Sequence, residues 1–75
     1  MYFSEYPKRA WIDAEFIDDE TGEVFFVELR KESADETADE FIARCKTVAN
    51  EYFDAPKFVR LVDPEEAEVL GYDTY

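Results

Sequence analysis

The sequence predicts a small α+β domain, ordered β-β-α-β-α, in which a three-stranded antiparallel sheet carries one long helix on one face. Three observations predict it. Two neighbouring stretches alternate apolar and polar residues on either side of an acidic turn containing Gly22. A later stretch repeats apolar residues every three or four positions, and a short apolar run after Pro56 is closed by Asp63-Pro64.

The first two strands are expected at about 10–18 and 23–30, joined by Asp19-Glu20-Thr21-Gly22, where glycine can take a positive φ. Side-chain faces fix the register. A four-residue connection pairs Phe16 with Phe25, Ala14 with Val27 and Ile12 with Leu29, all apolar on one face, whereas a three-residue connection mixes the faces. The other face then pairs Ile17 with Val24, Glu15 with Phe26, Asp13 with Glu28 and Trp11 with Arg30.

The helix is expected at about 34–53. Ser33-Ala34-Asp35-Glu36 and Thr37-Ala38-Asp39-Glu40 both fit a capping box, and Ser33 is the preferred start, with Thr37 as the alternative. Ala38, Phe41, Ile42, Cys45, Val48, Ala49 and Tyr52 form a stripe that should lie on the apolar face of the hairpin. Glu40 is placed one turn before Arg44, as an ion pair requires. A third strand follows at about 57–62, and Asp63-Pro64 opens a short helix at about 64–70 that ends at Gly71. Strand order 2-1-3 makes every neighbouring pair antiparallel and is preferred.

Composition narrows the function. The 75 residues form one small domain and carry 20 Asp and Glu against 8 Lys and Arg, for a formal charge of -12, with no His and one Cys. Such a chain builds neither a His-based triad nor a Cys-His zinc site, and its aromatic and apolar content predicts a packed core rather than an acidic tail. The hairpin turn superficially suggests calcium. Gly22 stands fifth counting from Asp18 instead of sixth, however, and strands rather than helices flank it, so no metal site is expected. No cofactor is expected either. Cys45 falls in the apolar stripe and reads as a buried, inert thiol. Residues 1–9 lack the apolar segment of a secretory signal, and no apolar run approaches membrane-spanning length, so the expectation is a cytoplasmic protein.

The candidate contact residues are Trp11, Asp13, Glu15, Ile17, Val24, Phe26 and Glu28 on the second sheet face, together with Asp18, Asp19 and Glu20 of the turn. A three-stranded sheet with one helix leaves that face open, and an apolar patch rimmed by acids is suited to a protein contact. The competing reading is intramolecular cover by Tyr2, Phe3 and Tyr6 or by Val69, Leu70, Tyr72 and Tyr75. The acids at the two helix starts have a structural explanation in the helix dipole.

The expected function is therefore non-enzymatic: binding of a protein partner with a basic surface, and no direct binding of nucleic acid or membrane, whose charge matches that of the chain. In its sharpest form this is nucleic-acid mimicry, a strategy of phage-encoded inhibitors, which are similar to this chain in small size and acidity. A charge of -12 equals that of about 20 Å of duplex, which is DNA-like for a globule roughly 30 Å across. Mimicry requires the acidic blocks at 11–23, 32–40 and 61–75 to converge on one face. The alternative is an accessory subunit or assembly factor of a larger prokaryotic complex, held through Trp11 and Phe26. A homodimer through that face would desolvate Asp13 and Glu28 together and would need a base between them. A third reading takes the acidity as adaptation to high salt.

Overall fold

Alternating side chains around Asp19–Gly22 do close a hairpin. The computed structural model describes residues 2–75, in which β1 (Trp11–Asp18) and β2 (Val24–Arg30) pair antiparallel in the register of the four-residue connection, from Trp11 opposite Arg30 to Ile17 opposite Val24. Gly22 has φ +75°, and its N–H donates to the Asp18 carbonyl at 2.7 Å. The buried Asp18 carboxylate accepts from the Thr21 hydroxyl at 3.0 Å and from the Ala55 N–H at 3.1 Å, so it pins the turn to the chain leaving the helix.

The long helix, α1, spans Ala38–Tyr52 and starts four residues later than expected. Thr37 is its cap: the Thr37 side chain accepts from the Glu40 N–H at 3.2 Å, and the Glu40 carboxylate accepts from the Thr37 N–H at 3.2 Å. Ser33 loses this role because Glu36 is drawn elsewhere. The Glu36 carboxylate accepts from the Glu32 N–H at 2.8 Å and from two nitrogens of Arg44, at 2.7 and 3.0 Å. The expected Glu40–Arg44 pair is thus replaced by Glu36–Arg44, and the guanidinium holds the Glu36 carboxyl below its ordinary range.

Phe41, Cys45 and Ala49 of α1 are buried on Ile12, Ala14, Phe16, Phe25 and Val27, which is the main core. Tyr52, the last residue of the predicted stripe, is exposed. Phe3 and Tyr6 from the N-terminal segment pack on the same core, with the Phe3 ring 5.2 Å from Phe41.

The fold class is α+β, but the sheet is four-stranded and mixed rather than three-stranded and antiparallel. β3 (Pro56–Val62) pairs antiparallel with β1, and α2 (Pro64–Leu70) leads to β4 (Asp73–Thr74), which pairs parallel with β2 in the order β3-β1-β2-β4. A two-residue strand carries no periodicity for a sequence to display. It forms because β2 would otherwise present unpaired backbone groups at its outer edge: the Tyr75 N–H donates to the Phe26 carbonyl at 2.8 Å, and the Glu28 N–H donates to the Tyr75 carbonyl at 3.1 Å.

A bulge between Glu15 and Phe16 adds one residue on β3, so that Arg60 stands opposite Glu15 while Phe58 stands opposite Phe16. Two residues that would share a face in a regular strand are sent to opposite faces. Phe58 packs edge-on to Phe16 at 5.8 Å, and Arg60 reaches Glu15.

α2 and the residues after it cross the second face. Phe26, Val62 and Ala67 form a small second core, and the Tyr72 ring lies 5.4 Å from that of Phe26. Tyr75 turns to the other face, against Phe25 and Phe53. Among the described residues no helix is long and apolar enough to cross a membrane.

Candidate functional site

The hairpin register forces Asp13 and Glu28 into a cross-strand pair on the face beneath α2. Asp13 is only 1% exposed, with Val62 as its β3 neighbour, and neither of its carboxyl oxygens has a hydrogen-bond partner. Desolvation, then the Glu28 carboxyl beside it, raises its pKa from 3.8 to about 7. Asp13 therefore keeps its proton to a higher pH than an ordinary carboxylate, because ionising it places two like charges in contact. No base forms an ion pair with Asp13, Glu28 or Glu68 among the described residues.

These carboxyls line an open cavity of about 390 Å³ whose wall includes Ala67 and Glu68 of α2, Tyr72 and Thr74. The arrangement can hold one proton between two carboxyls, or a cation supplied from outside. Among the described residues no group of three or more Asp, Glu, Cys or His side chains is arranged to hold a metal ion. An ammonium or guanidinium group suits the site, since it brings the missing charge and hydrogen-bond donors together.

The other predicted contact residues separate. Trp11 lies on the same face as Asp13 and is 47% exposed, with the Arg30 guanidinium 4.6 Å above its ring. Glu15 accepts from Arg60 at 3.1 Å, and Arg60 donates on to Glu66 at 3.0 Å, so Glu15 ties α2 to the sheet. Ile17 and Val24 are half-buried at the turn end. Phe26 is fully buried beneath α2 and Tyr72, so the open Trp11/Phe26 face is corrected to a face covered from within, with Trp11 left at its uncovered end. Asp18 is buried and structural, Asp19 pairs with Lys57 at 2.6 Å, and Glu20 stays exposed.

Trp11, Asp13 and Glu28 therefore meet at one end of the sheet, while Asp18, Asp19 and Glu20 lie at the other. Glu68 joins the site without any sequence signal and Tyr72 as one of the residues expected to cover the face, because α2 brings them over it from 38 and 42 residues beyond the end of β2. The chain was compared with family models, curated proteins and solved structures, and no match was found in any of the three.

Proposed function

We propose that this is a non-enzymatic binding protein that takes a basic side chain of a partner protein against Asp13, Glu28 and Glu68, with Trp11 and Tyr72 as the aromatic rim. One observation carries the reading: Asp13 is buried with no donor but a proton shared with Glu28, and no base pairs with either carboxyl among the described residues, although Glu15, Asp19 and Glu36 each have one. A Lys or Arg from outside relieves the like-charge contact and supplies the absent donors.

Nucleic-acid mimicry gains less support. The first acidic block reaches the hairpin turn and the second surrounds the start of α1 at the opposite end of the sheet, and several of their acids are paired or buried. The accessory-subunit reading keeps the exposed Trp11 as its support but loses Phe26.

The test is affinity capture from prokaryotic lysate at pH 6 and pH 8, in low and high salt, with wild type, Glu28→Gln and Trp11→Glu as baits. A partner held more strongly at pH 8, released by salt and lost with Glu28→Gln is expected, because cation binding displaces the proton of Asp13. A partner indifferent to salt and to Glu28→Gln but lost with Trp11→Glu would overturn this reading in favour of the accessory subunit.

A further inference from the structure

Eight Lys and Arg face twenty acids in this chain, yet five of the eight line one open cavity of about 370 Å³. These are Lys8, Arg9, Arg30, Lys31 and Arg44, with Glu32 the sole acid among the lining residues. The lining carries a formal +4, which leaves -16 on the remainder of a chain whose total is -12. Bases scattered for solubility would be interspersed with the acids. Here they repel one another at one end of the sheet.

The backbone holds them there. The Arg9 N–H donates to the Lys31 carbonyl and the Lys31 N–H to the Ala10 carbonyl, both at 2.8 Å, extending the β1–β2 ladder beyond its ends. Arg9 has φ +71° and is the only non-glycine residue with a positive φ among the described residues. Glycine is the unstrained choice at such a position, and an arginine stands in its place.

Two of the five bases are fixed by the fold. The Lys31 ammonium is buried and donates to the Phe3 and Tyr6 carbonyls, at 3.2 and 2.8 Å, and no carboxylate pairs with it among the described residues. Arg44 is committed to Glu36 at 2.7 Å and to Glu32 at 3.4 Å, with a further bond to the Arg30 carbonyl at 2.8 Å. Lys8, Arg9 and Arg30 form no ion pair among the described residues, and Arg30 lies over Trp11 with its edge free to donate.

We infer that this cavity is a binding site for the phosphate group of a small ligand, with Lys8, Arg9 and Arg30 donating to its oxygens and Lys31 supplying fixed positive charge behind them, while Arg44 neutralises Glu36 and Glu32 at the cavity wall. Guanidinium forks match a phosphate in two-point contact. The ligand is compact, because an extended polyanion would run onto the surrounding acidic surface. The site adjoins the Asp13–Glu28 cavity at Trp11, over which Arg30 lies, but does not rest on its assignment.

The test is a ¹⁵N–¹H NMR titration of the full chain with inorganic phosphate at pH 7.5, ionic strength being held constant with sodium chloride. Saturable shifts confined to the amides of residues 8–10, 30–32 and 44 are expected. Arg9→Gly should weaken binding about tenfold, the loss of one charge-assisted contact, without lowering the urea midpoint, because glycine accepts the positive φ. Arg30→Gln should weaken it comparably. Shifts that do not saturate, that acetate reproduces in full, or that Arg9→Gly and Arg30→Gln both leave unchanged would overturn the inference. So would tighter binding of a short single-stranded oligonucleotide than of phosphate.

Discussion

Asp13 is the residue at which packing and electrostatics conflict most. A carboxyl that titrates at 3.8 in the unfolded chain and at about 7 in the folded one binds more protons when folded between those values. Its contribution to stability is therefore full below the lower value, declines as pH rises, and is gone above about 7. The chain has no His, and ordinary carboxylates have finished titrating by pH 6, which leaves the interval from pH 6 to 8 to the Asp13–Glu28 pair and the α-amino group, and the comparison with Asp13→Asn separates the two. Urea melts should show the wild type losing about 1 kcal/mol across that window, while Asp13→Asn stays flat and is the more stable variant at pH 8. A parallel decline in both proteins would show that Asp13 is not the titrating group. Cys45 offers a second residue-scale check. Burial pushes its thiol up to about 12, so a thiol reagent such as DTNB should leave the native protein unmodified and label it at the rate of unfolding. Immediate labelling of native protein would contradict the packing of α1 on the sheet.

At the scale of elements, the start of α1 shows how a local signal is decided from a distance. Two capping boxes stand in tandem, and nothing local separates them. Arg44 separates them, by taking the Glu36 carboxylate that Ser33 would need. Thr37→Ala should therefore cost about 1 kcal/mol in urea melts, and Ser33→Ala no more than a few tenths. Equal costs would mean that the helix starts at both positions. The hairpin behaves differently, because its register follows from side-chain alternation alone, and each predicted pair from Trp11–Arg30 to Ile17–Val24 is present. In β3 the bulge reverses the alternation midway, and this reversal is what lets Arg60 bridge Glu15 to Glu66 and hold α2 over the second face.

For the whole molecule the governing quantity is a charge of -12 on a body measuring 35 × 24 × 16 Å. At low ionic strength the Debye length of roughly 10–30 Å is comparable with the shorter dimensions, so acids on opposite faces repel one another through the fold. Raising sodium chloride from 0.05 to 0.5 M should raise the urea midpoint, since the screening of this repulsion outweighs the weakening of exposed ion pairs such as Asp19–Lys57. A falling midpoint would show instead that the Glu15–Arg60–Glu66 and Glu36–Arg44 links dominate. The same charge distribution separates the two cavities, one lined by unpaired carboxyls and the other by five bases.

By itself the sequence determined the hairpin and its register, the amphipathic stripe that becomes α1, the proline-led second helix and the pairing of Asp13 with Glu28. Each of these follows from periodicity or from a short-range backbone requirement, which a chain expresses locally. Only the tertiary structure decided that the second face is covered, that Phe26 is core rather than contact, that Asp13 is desolvated, and that five scattered bases meet at one end. These outcomes depend on where α2, a two-residue strand and the N-terminal segment come to rest. That placement is set by burial of Ala67, Phe3 and Tyr6 and by the backbone groups left open on β2, neither of which leaves a pattern in the residues that do the covering.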